Sequence, residues 1–257
     1  MQREVHSEPD FDGIIGQSPV LKAVLALARE MAVSDAPVLI LGETGSGKES
    51  IARAIHRISG RRRNHSFVKV NCATTAEGQL ESELFGHQKE SSDDAISQTT
   101  GRLELANKGT LFLQEIARAP LDLQPKLLRA LKSGEFEPLG SARSIRVNVR
   151  WIASSRHDLA ELGQHRFRED LYDQLNAAPL EVPPLRERRE DIPLLVRYFV
   201  QKFAGRMNKR IVTVPSETMN VLTKSSWPGN VSELESFIER AVILTEGPTL
   251  QAALADL

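Results

Sequence analysis

The sequence predicts an α/β fold, a parallel sheet flanked by helices, with an all-helical segment at its C-terminal end. Three observations predict it. Short apolar, strand-like runs alternate with helical runs from Ser18 to Val182. One of these runs, Val38–Leu41, passes through a glycine-rich turn straight into a helical run. From Arg189 onward every patterned segment has helical spacing and no strand intervenes. The 257 residues suffice for one domain of ordinary size and a smaller one. Residues 1–10 read as a loose polar arm, 11–186 as the α/β domain and 187–257 as the helical domain.

Composition narrows the function classes. Apolar residues at 40% and charged residues at 26% are those of a soluble globular chain. A net charge of -1 gives no global attraction for nucleic acid. The single cysteine, Cys72, excludes an internal disulfide framework, and its place at the end of an apolar strand marks a buried small hydrophobe rather than a nucleophile. No apolar run approaches the roughly 20 residues of a membrane span, and no signal peptide pattern opens the chain, so a cytoplasmic protein without membrane contact is expected. The six histidines lack ligand spacing such as HExxH, and no protein-bound zinc is expected.

The elements follow in order. Ser18-Pro19 forms an N-cap and first turn for a helix over Val20–Met31, and Asp35-Ala36-Pro37 breaks the chain before the strand Val38–Leu41. A helix over Glu49–Ile58 ends in the basic turn Ser59–Asn64, read as solvated because no aromatics interleave with its arginines. Phe67–Cys72 alternates as a second strand and Glu77–Phe85 is helical. His87–Thr100 is polar, acidic in its middle and without period, an exposed loop. Gly109–Glu115 is a third strand with a polar pair at its carboxyl end, where open α/β sheets place their ligands. Leu121–Leu131 is an amphipathic helix. After a hairpin, Ile145–Ala153 gives a fourth strand, with Trp151 in the core. A short helix over Phe167–Leu175 and a fifth strand over Ala178–Val182, stopped by Pro183-Pro184, complete the α/β part. Helices over Asp191–Phe203 (with Phe199 and Phe203 in the core), Ser216–Ser225 and Val231–Leu244 follow, the last with Asn230 as its N-cap.

The chemistry concentrates at Gly42-Glu43-Thr44-Gly45-Ser46-Gly47-Lys48. Glycines at 42, 45 and 47 carry no Cβ, so successive N–H groups can face an anion. The helix that follows adds its N-terminal dipole, and the Lys48 ammonium can reach the β- and γ-phosphates of a nucleotide. The general phosphate-loop pattern wants Ser or Thr after the lysine to hold Mg²⁺, whereas this chain has Glu49.

Several blocks in order resemble the AAA+ central domain of bacterial enhancer-binding proteins, the activators that remodel sigma-54 RNA polymerase. They are IIGQS at Ile14–Ser18, GETGSGKE at Gly42–Glu49, FVKVNCA at Phe67–Ala73, ESELFGH at Glu81–His87, GTLFLQEI at Gly109–Ile116, FREDLY at Phe167–Tyr172, PPLRERREDI at Pro183–Ile192 and WPGNV at Trp227–Val231. The resemblance implies a P-loop AAA+ ATPase fold with a C-terminal helical lid, ATP and Mg²⁺ as cofactors, and assembly into a homo-oligomeric ring. It implies nucleotide contact for Ile15, Gly16, Gly42, Glu43, Thr44, Gly45, Ser46, Gly47, Lys48, Glu49, Gln114 and Ser155. Glutamate after the lysine is usual in this family, which answers the mismatch at Glu49. Glu115 is implied as the group that polarises the attacking water, Asn71 as its partner in relaying γ-phosphate state, Arg168 as an arginine offered to a neighbour's ATP, and Gln114 with Glu115 as the weak protein contacts of a nucleotide-borne Mg²⁺.

Departures from the family pattern fall at catalysis and output. Its sigma-54 contact loop reads GAFTGA; here those places read Glu90-Ser91-Ser92-Asp93-Asp94-Ala95. A doubly anionic tip cannot bury itself against the surface an apolar one fits without stranding charge, so sigma-54 contact is expected to be impaired. Asp-Glu at the third strand is Gln114-Glu115, and Mg²⁺ favours charged oxygen over the neutral Gln114 carbonyl. The Thr-Asn sensor is Ser155-Arg156, the second neighbour-facing arginine is Gln174, and the lid's sensor arginine is Ser232. One arginine finger contributes roughly 10³ to 10⁵ in phosphoryl-transfer rate, about 4 to 7 kcal/mol. The expected function is therefore an ATP-binding regulator domain with impaired hydrolysis. The alternatives are a competent ATPase that activates sigma-54 transcription, supported by Lys48, Glu115 and Arg168, and, more weakly, a protein that binds nucleic acid itself. In such relatives DNA contact belongs to a further domain, absent from this chain.

Overall fold

The computed structural model describes residues 11, 13–74, 78–87, 99–141, 143–163, 165–177 and 179–254. Helix α1 (Pro19–Ala32) starts at Ser18, whose hydroxyl accepts the Leu21 N–H, as the sequence leads one to expect of a cap. Strand β1 (Val38–Leu41) leads through the glycine turn to α2 (Lys48–Ile58). Then come β2 (Phe67–Asn71), α3 (Gln79–Phe85), the short pair β3 (Gly86–His87) and β4 (Thr99–Thr100), α4 (Arg102–Leu105) and β5 (Thr110–Gln114). Helix α5 (Gln124–Ser133), the hairpin β6 (Glu135–Phe136) and β7 (Ile145–Arg146), β8 (Arg150–Ser155), α6 (Glu169–Leu175) and β9 (Pro179–Glu181) follow. The chain continues through α7 (Ile192–Arg206), α8 (Ser216–Lys224) and α9 (Asn230–Leu244).

Five strands form one all-parallel sheet in the order β2-β5-β8-β1-β9. Both faces are covered, as a parallel sheet requires. Leu39, Leu111, Leu113, Trp151 and Ala153 face a core completed by Leu80, Leu84, Leu127, Leu171 and Leu175 of the helices. Ile40, Phe112, Ile152 and Leu180 are buried on the alternate positions. Cys72 lies in the first of these cores, and burial pushes its thiol up to about 12, so it is the inert hydrophobe expected.

Chain contacts divide the molecule into two compact units. One comprises Leu27–Leu41 and Ile51–Glu181 and holds the entire sheet. The other comprises the segment through Ala26, Gly42–Ser50 and Val182–Leu257. Its core gathers Ile15, Leu185, Ile192, Val196, Phe199, Phe203, Trp227, Leu234 and Ile238, which places Phe199 and Phe203 in the core as expected. Among the described residues no helix is long and apolar enough to cross a membrane.

Three expectations are corrected. The strand expected over Ile145–Ala153 is two, because Ile145–Arg146 pairs in a hairpin with β6 while Arg150–Ser155 joins the main sheet; the intervening Val147 N–H goes to Gly134. The basic turn is not wholly solvated. Arg62 is buried, its guanidinium held by Asp35 (2.9 and 3.1 Å) and by both oxygens of Asn148 (2.7 and 2.8 Å). The pairing holds the Asp35 carboxyl below its usual range. Nor does Asn230 cap α9 with its side chain: it is the first helical residue, in left-handed backbone (φ 55°), and the Glu233 carboxylate reaches back to the Gly229 N–H (2.6 Å).

Candidate functional site

The glycine turn has the backbone its sequence requires. Gly42, Gly45 and Gly47 have φ of 151°, 75° and 107°. Each glycine is needed for its own reason. A Cβ on Gly42 would stand 2.7 Å from the Val182 carbonyl oxygen, one on Gly45 would collide with the Gly229 carbonyl, and Gly47 has open space but a φ that side chains avoid. Lys48 opens α2 and is buried, its ammonium donating to the carbonyls of Gly42 (2.5 Å) and Glu43 (3.1 Å). Glu49 follows in the first turn of the helix, where a carboxylate favours the dipole.

Within the same unit the C-terminal helices supply donors to this turn. The Asn230 amide nitrogen donates to the Thr44 carbonyl and to the Glu43 carboxylate, both at 3.0 Å. The Val231 N–H donates to Gly45 (3.0 Å) and the Arg188 guanidinium to Ser46 (2.6 Å). Glu43 is further held by both Arg186 terminal nitrogens (2.7 and 2.8 Å). These hydrogen bonds, Arg186 first and Asn230 second, hold the Glu43 carboxyl well below the carboxylate range, at about 2. Arg188 is buried, and desolvation lowers its guanidinium pKa against the attraction of Asp191. The Oγ of Ser46 and Nε of Arg188 are buried without a hydrogen-bond partner in the described structure. Asp191 accepts from the N–H groups of Gln17 (2.6 Å) and Ser18 (2.8 Å) and from the Ser18 hydroxyl (2.7 Å). Gly16 passes so close to Asp191 that a Cβ there would lie 2.8 Å from its carboxylate, and Ile15 joins the helical core.

In the sheet unit, Asn71, Gln114, Glu115 and Ser155 lie at the carboxyl ends of adjacent strands, and Arg168 lies apart, before α6. Asn71 ends β2 in register with Gln114, which ends β5, and its side-chain oxygen accepts the Ala73 N–H (2.9 Å). The Gln114 backbone carbonyl accepts the Cys72 N–H (2.9 Å), while its side-chain Oε1 is buried with no partner among the described residues. Glu115 follows in left-handed backbone (φ 55°), and its carboxylate accepts the Arg156 N–H (3.3 Å). Ser155 ends β8 opposite Leu41 of β1, its hydroxyl closed onto the His157 carbonyl (2.7 Å). Arg168 precedes α6 and forks onto Asp170 (2.7 and 3.0 Å), which raises the pKa of the guanidinium further. The loop residues Glu90, Ser91, Ser92, Asp93 and Asp94 lie outside the described residues. Only the base of that loop is described, where Gly86–His87 pairs antiparallel with Thr99–Thr100.

The residues present fit an Mg²⁺ carried on a triphosphate. Gln114 offers an unengaged neutral oxygen and Glu115 a carboxylate, a donor set that would share an ion with phosphate oxygens but not cage one. Among the described residues no group of three or more His, Cys, Asp or Glu gathers that could hold a metal by itself.

The family model described as "Sigma-54 interaction domain" matches residues 14–181. The chain belongs to this family. Residues 186–255 match the AAA+ ATPase lid domain, so the parallel sheet and C-terminal helices are those of an AAA+ fold. The chain is similar to Escherichia coli proteins. The DNA-binding transcriptional activator HyfR is 52% identical over 255 residues, 99% of this chain and 38% of that protein. The formate hydrogenlyase transcriptional activator FhlA is 51% identical over 251 residues, 97% of this chain and 36% of that protein. The chain thus spans little more than a third of the length of these relatives. Among solved structures, NtrX from Brucella abortus in complex with ATP is 36% identical with a TM-score of 0.86, covering 98% of this chain and 57% of that one.

The sequence assigns no site role to Arg186, Arg188 or Asp191 and marks Asn230 only as a helix cap, although all four lie in the family blocks. The available signal was the arginine run Arg186, Arg188, Arg189 just after Pro183-Pro184.

Proposed function

We propose that this domain grips ATP through Gly42–Lys48 while hydrolysing it slowly and engaging sigma-54 poorly, as the central module of a transcription regulator. Gln114 carries the reading. Its neutral, buried and unpartnered amide oxygen stands at the strand end beside Glu115, where the family pattern places a charged Mg²⁺ ligand. The grip is supported by the left-handed glycines and by Lys48, whose ammonium would exchange the Gly42 and Glu43 carbonyls for phosphate oxygens. NtrX from Brucella abortus, whose structures include complexes with ADP and with ATP, supports the same nucleotides here.

In this reading Glu115 orients the attacking water, Asn71 and Ser155 register the state of the γ-phosphate, and Gln114 and Glu115 would meet the Mg²⁺, which supplies charge neutralisation when bound. Ile15 and Gly16 lie on the nucleotide's base side, and Glu43, Thr44, Ser46 and Glu49 complete its phosphate side. Arg168 leaves Asp170 to serve a neighbouring subunit in a homo-oligomeric ring. The division into an α/β domain to residue 186 and a lid beyond it is supported by the two family matches, which end at 181 and begin at 186. The acidic loop Glu90–Asp94 is the reason for doubting sigma-54 contact, and DNA contact would come from a domain outside this chain.

The test measures ATP affinity and ATP turnover on the same preparation. Binding with turnover about 10³-fold or more below that of an ordinary AAA+ motor is expected. Failure to bind ATP with Mg²⁺ in excess sinks the grip, and ordinary turnover sinks the impairment.

A further inference from the structure

The turn from Gly42 to Ser46 presents five successive carbonyls, and every one accepts a hydrogen bond: Gly42 and Glu43 from Lys48, Thr44 from Asn230, Gly45 from Val231 and Ser46 from Arg188. Three of these donors come from the C-terminal part of the chain. Their effect on the opposite side of the turn follows from peptide geometry. In a trans peptide the C=O of one residue and the N–H of the next point in opposite directions. Fixing the Thr44 carbonyl on Asn230 and the Ser46 carbonyl on Arg188 therefore directs the Gly45 and Gly47 N–H groups away from those donors. The Ser46 N–H closes onto the Glu43 carbonyl at 3.2 Å.

Asn230 occupies the centre of this arrangement and is fully buried. Its oxygen accepts the Leu185 N–H at 2.7 Å, while its nitrogen serves Glu43 and Thr44. The backbone is left-handed at this residue, which asparagine tolerates better than most side chains. Gly45 and Gly229 approach so closely that neither strand of the contact has room for a side chain at Gly45. A residue needed only to start α9 would not require this geometry, since Glu233 already closes the helix start.

We propose that Asn230 is a positioning residue for phosphate binding, a latch that sets the direction of the phosphate-facing Gly45 N–H by holding the Thr44 carbonyl on the opposite side of the turn. The proposal rests on the nucleotide reading above and extends it: the cradle is held in shape by the C-terminal segment before nucleotide arrives. Binding and packing of that segment are then linked, so whatever loosens the Trp227–Asn230 turn releases nucleotide.

Asn230→Asp is the discriminating variant. It is isosteric, accepts left-handed backbone and keeps an oxygen for the Leu185 N–H, but it loses both donors and sets a second carboxylate against Glu43. ATP and ADP affinity are expected to fall about tenfold or more, with the Leu185 amide still protected from hydrogen exchange and the Val231 amide losing protection. Adding Glu43→Gln removes the like-charge repulsion but leaves the Thr44 carbonyl without its donor, so affinity should stay about tenfold below that of the Glu43→Gln single variant. Wild-type affinity in Asn230→Asp, or a loss that Glu43→Gln fully corrects, overturns the latch. Should the unaltered protein itself fail to bind ATP, the nucleotide reading falls. The latch is then decided by exchange alone, and unchanged protection at Val231 in Asn230→Asp overturns it.

Discussion

The phosphate turn and the carboxyl edge of β5 and β8 treat their polar groups in opposite ways. From Gly42 to Ser46 each backbone carbonyl has a donor, and three of those donors come from residues 188–231. At the strand ends Gln114 keeps a buried oxygen with no partner among the described residues and Ser155 closes onto His157, while before α6 Arg168 closes onto Asp170. The first region is pre-organised and depends on long-range contacts for its shape. The second is locally satisfied or left idle, and it carries the substitutions at Gln114 and Arg156. If the proposed function holds, changes in the first region act on grip and changes in the second on cleavage, and the following outcomes break or sharpen that contrast.

The largest effect is expected at Trp227→Ala. Trp227 is buried, packs edge-on to Phe237 and donates its indole N–H to the Leu222 carbonyl at 2.8 Å. Removing it leaves a cavity and an orphaned acceptor at a cost of about 3 to 5 kcal/mol. Calorimetry should show lower stability, and ATP affinity should drop with it because the adjoining Gly229–Val231 segment holds the turn. Intact ATP affinity in a destabilised variant would separate the turn from the phosphate cradle.

Gly45→Ala comes next. The new methyl group meets the Gly229 carbonyl and the residue keeps a φ of 75°, so about 2 kcal/mol or more is lost. If alanine at this position melts and binds like the parent, the close approach is not a constraint.

Gln114→Asp addresses the other region. A charged oxygen replaces a neutral one beside Glu115, and turnover should rise by about tenfold or more when Mg²⁺ is supplied. Without Mg²⁺ and nucleotide the same carboxylate is buried unpaired, so the thermal midpoint should fall and then recover on adding both. Unchanged turnover would move the defect to Arg156, Gln174 or Ser232.

What the sequence discloses follows the range of each interaction. The phosphate turn is legible because its glycines and lysine act within a few residues, and the α/β alternation because burial imposes a period on each strand and helix. Asn230 is misread for a physical reason: asparagine before a helical run normally caps it, and nothing local reveals that this one bonds Glu43, 187 positions away in the chain. Arg62 is misread in the same way, since its partners Asp35 and Asn148 lie 27 and 86 positions distant. Local patterns identify which residues can do chemistry. They do not tell which polar side chains the fold uses for support.

The smallest effect concerns pH and the Glu43 carboxylate. Its folded-state pKa, about 2, lies below the ordinary 4.5, because Arg186 and then Asn230 hydrogen-bond the charged form. The stabilisation is therefore fully present above pH 4.5 and is lost as pH falls from 4.5 toward 2. Arg186 and Glu43 are 41% and 39% exposed, so water and salt screen the pair and keep its contribution small. A carboxyl-detected NMR titration should find Glu43 still ionised at pH 3.5 and should find its midpoint raised by Arg186→Ala, with a smaller rise on adding salt. The Asn230 bond adds a test independent of charge: Asn230→Asp should raise the Glu43 midpoint too, by removing a donor and adding a like charge. If Glu43 titrates at its ordinary value in the parent protein, the anion at the centre of the phosphate-turn network is missing, and the contrast between the two regions loses its electrostatic half.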